Sequence, residues 1–467
     1  MTDKLNRTRT VRWLTTLAAV AVLAGCSQMP VYERPAAPVA VEWPDAPVAA
    51  AAPAPLLTWA DFVTDARLRE LIGLALLNNR DLRVATLNIA QVRAQYQIRQ
   101  ADQLPTVNLA ASGSRQPASG GGINSSYSVG LALSSWEIDF FGRIASLKEA
   151  ALAQFLASEA ARDAAQTSLV ASVASTWLSL QANDELLGLT QRTLATRRDS
   201  LRLTRLRFDN GATSALDLRQ AESLTAAAES ALAQQTRQRA LDLNALTLLV
   251  GQPLPAALVA PVAAEATALP LFRSVPAGLP SDLLNRRADI RQAEQQLVAA
   301  NANIGAARAA FFPRIALTAG VGTASGDLSG LFKDGSWGFT LSPQALLPIF
   351  DAGRNQAGLD SAQASRAVAV AQYEKAIQSA FREVADALAG RATLGEQLRA
   401  QQAQATAEAE RFRLAELRYR NGVASFLDVL DAQRSLFATQ QGLTQTRLAQ
   451  QQNQVALYKA LGGGWSE

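Results

Sequence analysis

The chain has 467 residues, a formal net charge of +4 and no histidine. The missing histidine removes the commonest general base and the commonest metal ligand, which weighs against an enzyme and against a metal site. The first 25 residues carry a net charge of +3, so the remainder carries only +1 and gives no electrostatic case for nucleic-acid binding.

The N-terminus has the form of a lipoprotein export signal. A basic stretch precedes the apolar run 13–23, which is too short for a transmembrane helix. The run ends in LAGC at 23–26, which resembles a bacterial lipobox, and Cys26 is the only cysteine. A chance cysteine is the alternative, but a lone cysteine cannot form an internal disulfide. We predict a signal peptide at 1–25 and a lipid on Cys26. By resemblance to the lipoprotein sorting rule, Ser27 favours the outer membrane.

Two halves of the chain repeat the same motifs in the same order. RFDNG at 207–211 recurs as RYRNG at 418–422, and LDL at 216–218 recurs as LDV at 427–429. Both pairs are 211 residues apart, and an ordered set of matches is not expected by chance, so we predict an internal duplication. The predicted domains are a signal peptide (1–25), a lipid anchor with a Pro/Ala-rich extended tether (26–60), a first repeat (61–251), a proline-rich linker (252–280), a second repeat (281–462) and a C-terminal tail (463–467).

Each repeat contains a stretch in which large apolar and small residues alternate. Tyr127, Val129 and Leu131 alternate with serine, glycine and alanine, and Trp337 and Phe339 alternate with glycine and threonine. This period of two is typical of strands with one apolar face and one small, polar face. An ordinary exported hairpin packed on a helical core is the alternative. The predicted strands, close to the length that crosses an outer membrane, lie at about 105–116, 126–138, 313–324 and 335–348.

Long proline-free stretches predict unusually long helices. Residues 142–208 contain no proline, and a helix of that length spans about 100 Å. The same feature recurs at 354–418. Each stretch ends at Asn-Gly, where glycine can take the left-handed conformation that terminates a helix. We predict helical hairpins at 142–250 and 353–461, completed by shorter helices at 65–104 and 281–312.

Four membrane-spanning strands cannot close a barrel, because eight is the smallest usual number. An open sheet edge in lipid would leave backbone groups without partners. We therefore expect copies of the chain to assemble, with the apolar strand faces toward lipid and the small faces toward water. The long helices would extend the barrel as a tube in the periplasm.

The motifs resemble the TolC superfamily. The resemblance rests on the R-[FY]-x-N-G-x-x-S-x-L-D motif that begins at Arg207 and again at Arg418, and on Gly-Arg after each strand pair. It also rests on LDAQR at 430–434 and YKALGGGW at 458–465. The lipobox places the chain with the OprM-like (NodT) lipoprotein branch.

The resemblance implies an α+β membrane protein of two structural repeats, each with a transmembrane β-hairpin and long coiled-coil helices. A homotrimer would form a twelve-stranded β-barrel continuous with a periplasmic α-helical barrel, with 252–280 in an equatorial belt. The implied function is the passive exit duct of a tripartite efflux pump for small molecules such as drugs. The implied partners are a periplasmic adaptor and an inner-membrane pump of the resistance-nodulation-division (RND) type. We expect an outer-membrane location with no cofactor beyond the lipid on Cys26.

The resemblance also implies a gate at the tip of the second hairpin. Asp428 and Asp431 lie three residues apart on one helix face, so three copies would form stacked carboxylate rings that favour cations. Alternatively they are solvated acids at a helix N-terminus, where the helix dipole favours negative charge. Leu427 would add an apolar constriction or belong to a coiled-coil core, and Arg434 could pair with Asp431 within or between protomers.

Further contacts are implied at the two tips. Tyr419 and Asp217, on opposite hairpins, would hydrogen-bond in the closed state and part on opening. The adaptor would approach the backbone at the Asn-Gly turns, whose other role is helix capping. These turns are Asn210, Gly211, Asn421 and Gly422.

Three other functions fit the sequence less well. An enzyme would rest on carboxylate pairs such as Asp428 and Asp431, without a histidine, a free cysteine, a phosphate-binding loop or a nucleophile motif. A periplasmic coiled-coil scaffold or adaptor explains the helices but not the four strands. The duct of a type I protein secretion system would have the same fold, and only the lipobox and the branch resemblance favour efflux.

Overall fold

The computed structural model describes residues 27–40, 57–117, 120–261, 270–275 and 283–465. The predicted signal peptide and Cys26 lie outside the described residues. The chain divides into two units. Unit 1 comprises Met1–Ala37, Leu87–Glu159 and Gln292–Lys375, and unit 2 comprises Pro38–Thr86, Ala160–Arg291 and Ala376–Glu467. Each unit therefore draws on both sequence repeats.

Unit 1 contains an antiparallel sheet of four strands in the order β1-β2-β3-β4. The strands are β1 (Val107–Pro117), β2 (Ile123–Ile138), β3 (Arg314–Ser325) and β4 (Trp337–Leu346). Each repeat contributes one hairpin, and β2 pairs with β3 along most of its length. The two repeats are thus joined by main-chain hydrogen bonds between strands.

The strand register sorts the side chains onto two faces of the sheet. One row across all four strands contains large apolar residues that are exposed in the single chain: Leu109, Leu131, Val321 and Phe339. The next row, on the opposite face, contains no side chain larger than a methyl group: Ala110, Gly130, Gly322 and Gly338. The sheet therefore has an exposed apolar face and a face of small residues, as the alternation in the sequence predicts.

The centre of the small row requires glycine. A Cβ on Gly130 would lie 2.3 Å from the Val321 carbonyl oxygen, and a Cβ on Gly322 would lie 2.3 Å from the Val129 carbonyl oxygen. Real side chains do not approach backbone this closely. The close approach of β2 to β3 therefore depends on both glycines.

Short helices alternate with long helical hairpins along the rest of the chain. In chain order they are α1 (Trp59–Phe62), α2 (Ala66–Asn78), α3 (Arg80–Ala101), α4 (Arg143–Asp209), α5 (Ala215–Val250), α6 (Leu283–Arg286), α7 (Ala288–Ala309), α8 (Arg354–Arg420) and α9 (Phe426–Ala460). Helices α4 and α8 have 67 residues each. The uninterrupted helices predicted at 65–104 and 281–312 are wrong, because the chain leaves the helical conformation at Asn79 and at Arg287.

The two breaks have corresponding surroundings in unit 2. Asn79 has an extended backbone with ψ of 131°, and its Nδ2 donates to the Leu249 carbonyl oxygen at 2.9 Å. Arg287 Nη1 donates to the Ala460 carbonyl oxygen at 3.0 Å. The side chain at each break thus binds a carbonyl that the end of the repeat's last helix leaves open. This tertiary contact is the physical reason that one helix becomes two.

Unit 2 has an aromatic cluster where distant parts of the chain meet. Phe62 stacks on Tyr458 with ring centroids 4.0 Å apart and on Phe272 with centroids 5.0 Å apart. Trp177 of α4 is buried, and its indole nitrogen donates to the Leu258 carbonyl oxygen at 3.3 Å. The cluster packs part of the linker against the helices of both repeats.

Candidate periplasmic gate

The tips of the two helical hairpins have the same local construction. Gly211 and Gly422 have φ of 71° and 73°, the left-handed conformation that ends α4 and α8. Ser214 then caps the N-terminus of α5 in a reciprocal capping box with Asp217, and Ser425 does the same for α9 with Asp428. The repeated S-x-L-D spacing in the sequence therefore encodes a helix start.

The capping boxes define what Asp217 and Asp428 do in this structure. Asp217 Oδ2 accepts from the hydroxyl of Ser214 at 2.7 Å and from that of Thr213 at 2.9 Å. These hydrogen bonds, led by that of Ser214, hold the pKa of Asp217 below its ordinary value. Asp428 Oδ2 accepts from the hydroxyl and the amide of Ser425 at 3.0 Å and 3.1 Å. Both carboxylates are thus engaged at their own helix N-termini, the alternative considered for Asp428.

Tyr419 contacts the other hairpin through an arginine. The Arg207 guanidinium donates to the Tyr419 hydroxyl and lies 5.2 Å above the centre of its ring. Phe426, at the start of α9, packs on the same ring with centroids 5.2 Å apart. Arg207 was not foreseen as this partner, although it opens the first copy of the tip motif. The hydrogen bond between Tyr419 and Asp217 stays a prediction, because each has a different partner in this structure.

Asp431 lies between two arginines. Arg434 donates to its Oδ1 from the next turn of α9, a pairing within the chain, and Arg411 Nη2 of α8 donates to its Oδ2 at 2.6 Å. Arg411 also binds Glu408 at 3.1 Å. Hydrogen bonding to Arg411, assisted by the charges of both arginines, holds the pKa of Asp431 below its ordinary value. The tip therefore carries a balanced cluster of two cations and two anions.

Sequence analysis missed Arg411, although a geometric signal for it exists. Arg411 lies ten residues before Asn421, and Asp431 lies ten residues after it. Two antiparallel helices joined by a tight turn bring residues at equal distances from that turn side by side. A search for oppositely charged residues at equal distances before and after an Asn-Gly turn would have identified the pair.

The remaining predicted residues lie on the outside of the tips. Leu427 is 52% exposed, so it does not belong to a packed core within the single chain. Asn210 and Asn421 donate their side-chain amides back to the Leu206 and Leu417 carbonyl oxygens, at 2.7 Å and 2.8 Å.

The glycines of the two turns present open backbone. A Cβ built on Gly211 or Gly422 would meet no atom within 4 Å. The Asn-Gly turns therefore combine a capping role with a backbone surface that another protein could approach.

The described residues contain no group of three or more acidic, cysteine or histidine side chains placed to hold a metal ion. Within the same ranges, no helix is both long enough and apolar enough to span a membrane.

The chain is similar to known efflux proteins over almost its full length. The model of the outer membrane efflux protein family matches residues 71–252 and again 279–463. The probable efflux pump outer membrane protein TtgC of Pseudomonas putida is 48% identical, with 97% of this chain and 96% of that protein covered. The outer membrane protein OprJ of Pseudomonas aeruginosa is 46% identical, with 95% and 94% covered.

Solved structures agree with the sequence relatives. The open state of the Neisseria gonorrhoeae MtrE outer membrane channel has a TM-score of 0.83 and 40% identity, with 94% of this chain and 99% of that chain covered. A membrane protein from Pseudomonas aeruginosa has a TM-score of 0.87 and 45% identity, with 94% and 98% covered. The chain therefore belongs to the outer membrane efflux protein family, and it is an efflux channel of the outer membrane rather than an enzyme.

Proposed function

We propose that three copies of the chain form the exit duct of a tripartite efflux pump. The duct passively conducts small molecules, drugs among them, from an inner-membrane RND pump and a periplasmic adaptor to the exterior. The observation that carries this proposal is the four-stranded sheet with one exposed apolar face and one face of small residues. Names of relatives support it, since one is a toluene efflux pump outer membrane protein and another an antibiotic efflux pump outer membrane protein.

The sheet argues for assembly. Within the described part of the chain, β1 and β4 pair with another strand on one side only. Edges left open in lipid would cost several kcal/mol for each unpaired backbone group. Three copies joined edge to edge give a closed barrel of twelve strands, within the size range of outer-membrane barrels. The row of Leu109, Leu131, Val321 and Phe339 would then face lipid, and the glycine-rich row would face the lumen. The family resemblance supports continuity of this barrel with a periplasmic helical barrel.

The gate in this proposal belongs mainly to the second repeat. Leu427 supplies an exposed apolar side chain at the tip, and Asp431 is held by Arg411 and Arg434. The contact of Arg207 with Tyr419 ties the two hairpins of a protomer together at the same level. Opening of the tip would have to break or rearrange these contacts. Because Asp431 is paired, the closed tip is a set of ion pairs rather than a bare carboxylate ring, and its cation selectivity appears only once Arg411 is withdrawn.

The exposed Asn-Gly turns are the proposed contact with the adaptor. Their glycines leave open space beside the backbone, so that another helical hairpin can approach closely. Asn210 and Asn421 keep the turns rigid through their own capping hydrogen bonds. A lipid on Cys26 is proposed to anchor the channel in the outer membrane, in addition to the barrel.

Two experiments on the purified protein test the proposal. Cross-linking in mild detergent should give trimers, and recordings in planar lipid bilayers should show small, discrete currents. A protein that stays monomeric in mild detergent would contradict the closed barrel. A complete lack of conductance, also in variants with the tip ion pairs removed, would contradict the duct.

A further inference from the structure

One pair of helices within the chain joins the two repeats, α4 of the first and α7 of the second. A Cβ on Gly305 of α7 would lie 2.5 Å from the Ser146 hydroxyl oxygen of α4. Arg291 of α7 forms an ion pair with Asp163 of α4, with Nη1 and Oδ2 3.8 Å apart. The contact nearer the start of α7 is thus further along α4, so the two helices run antiparallel. We call this contact the repeat joint.

The repeat joint uses one face of each helix. On α4, the face that begins at Ser146 recurs every three or four residues, and each member is at most 5% exposed: Ser146, Ala150, Ala153 and Ala157. On α7, Arg291, Val298 and Gly305 are seven residues apart and therefore share a face. The joint thus combines close packing at one end with an ion pair at the other.

The internal duplication assigns an equivalent to each helix of the joint. DLR at 81–83 recurs as DIR at 289–291, so α3 is the equivalent of α7, 208 residues earlier. GR at 142–143 recurs at 353–354, so α8 is the equivalent of α4, 211 residues later. A second joint, built from α3 and α8, would therefore repeat the first.

The equivalents of the ion pair again carry opposite charges. Arg291 corresponds to Arg83 of α3, and Asp163 corresponds to Glu374 of α8. Arg83 is exposed and Glu374 is partly exposed. Within the described part of the chain, neither side chain has an ion-pair partner. Two complementary charges are thus present in the single chain without being used.

The helix faces that would meet in the second joint are open in the single chain. On α8, the equivalents of the buried α4 face are all exposed: Ala357, Ser361, Ala364 and Val368. On α3, the equivalents of the α7 face are also exposed: Arg83, Ala90 and Gln97. Leu87 and Ile98 lie beside this α3 face and are 60% and 62% exposed. Large exposed apolar side chains beside an uncovered face are typical of an interaction surface.

We propose that α3 of one copy packs on α8 of the next copy, as α7 packs on α4 within each chain, and that Arg83 pairs with Glu374 across this interface. A second copy is the occupant because it presents both the complementary charge and the equivalent helix face. Joints within a chain and joints between chains would then alternate around the trimer. This interface rests on the proposed trimer and specifies the surfaces through which its copies meet.

Charge reversal in the full-length protein tests the ion pair. Arg83→Glu and Glu374→Arg should each lower the yield of chemically cross-linked trimer in mild detergent about threefold or more, because like charges would face each other at every interface. The double variant should regain most of the wild-type yield. Arg99→Glu is the matched control, since Arg99 lies about 160° around α3 from Arg83 and pairs with Asp102 of its own chain.

The control should keep the wild-type yield of trimer. An unchanged yield in both single variants, or a double variant that recovers none of the loss, would overturn the pairing of Arg83 with Glu374. A wild-type protein that gives no trimer would instead contradict the proposed function.

A disulfide between copies tests the other end of the same interface. Gln97→Cys and Ala357→Cys, placed together in one chain, correspond to the close approach of Gly305 and Ser146. Oxidation in isolated outer membranes should link the copies into covalent dimers and trimers. Gln95→Cys with Ala357→Cys is the control and should stay monomeric, because Gln95 lies about 160° around α3 from Gln97.

Cys26 is present in both double variants and contributes equally to each. Equal linking in the two variants would overturn the packing of α3 on α8. The same holds if Gln97→Cys with Ala357→Cys gives no disulfide while chemical cross-linking still yields trimers.

Discussion

The two hairpin tips have the same type of turn, but their charged residues differ in the helices on either side of it. Both turns use a left-handed glycine and a serine–aspartate capping box. In the second tip, an ionic cluster follows, built from Arg411, Asp431 and Arg434. At the corresponding positions, 211 residues earlier, the first tip has Ser200, Gln220 and Ser223. The first tip has its own ion pair between helices at other positions, Arg205 of α4 with Glu222 of α5 at 2.9 Å. The residues that define the turn are therefore the same in both copies, whereas the ion pairs between the helices occupy different positions.

The other ends of the repeats show the same division. Asn79 and Arg287 occupy equivalent breaks and bind equivalent carbonyl groups. Only Arg287 is also paired with carboxylates, Asp289 at 2.6 Å and Glu383 at 2.8 Å. The break in the second repeat is thus stabilised by ion pairs, and the break in the first repeat by neutral hydrogen bonds.

The largest expected effect concerns these breaks. Arg287→Ala should destabilise the protein by about 3 kcal/mol, because its buried guanidinium donates three hydrogen bonds to the carboxylates of Asp289 and Glu383 and one to the Ala460 carbonyl oxygen. Asn79→Ala should cost about 1.5 kcal/mol, because it removes two neutral hydrogen bonds, one to the Leu249 carbonyl oxygen and one from the Leu82 amide at the start of α3. Thermal unfolding followed by circular dichroism measures both. Equal losses of unfolding free energy in the two variants would show that the ion pairs at Arg287 add no stability beyond that of the neutral hydrogen bonds at Asn79.

Removing Arg411 should open the gate more than removing its counterpart in the first repeat. Arg411→Ala frees Asp431 from one of two partners, so bilayer currents should increase and become more cation-selective. Ser200→Ala should leave both properties at wild-type values. A comparable change in the two variants would contradict a gate located in the second copy.

Acid should weaken the same ion pairs. Because the folded state depresses the pKa of Asp431, the contribution of its ion pairs is present above the ordinary carboxyl pKa and is lost as pH falls through the depressed value. Conductance should therefore rise at acidic pH, and Asp431→Asn should remove that part of the rise. A pH profile unchanged by Asp431→Asn would show that other groups control the response.

The contact between the tips gives a finer test. Arg207→Ala removes both the hydrogen bond and the cation–π contact with Tyr419, whereas Tyr419→Phe keeps the ring beneath the guanidinium. Leak currents should be largest in Arg207→Ala, smaller in Tyr419→Phe and smallest in the wild type. Arg418→Ala, at the equivalent position of the second copy, is the control. A leak in Arg418→Ala as large as in Arg207→Ala would contradict a specific contact.

The smallest effects should be equal in the two repeats. Ser214→Ala and Ser425→Ala each remove a helix N-cap, and each should cost about 1 kcal/mol. Chemical denaturation of the two variants compares them directly. A marked difference would show that one turn does more than start a helix.

The sequence allowed prediction of features that depend on local periodicity. The alternation around Val129 and Phe339 identified strands, and the proline-free stretches identified the long helices that end at Gly211 and Gly422. These signals are strong because the spacing of apolar residues and of proline depends directly on the local backbone conformation. The duplication provided a check, since each pattern occurs once in each repeat.

Features that depend on contacts between distant segments could not be predicted in this way. The breaks at Asn79 and Arg287 depend on contacts with the ends of other helices, and Arg34, in the segment predicted as a tether, binds Glu294, which lies 260 positions away. At the second hairpin tip, the family motif pointed to Asp431 and Arg434 but not to Arg411, because the motif lies within one helix and Arg411 lies on its partner.

The most direct test of a gate in the second copy is the ionic selectivity of single channels of Asp431→Ala and Gln220→Ala, measured as reversal potentials in a salt gradient. The two variants remove the acid from the second tip and its neutral counterpart from the first. If the gate lies in the second copy, Asp431→Ala should show a changed reversal potential and more frequent open events, and Gln220→Ala should behave as wild type. The same change in both variants, or a change in Gln220→Ala alone, would contradict a gate in the second copy.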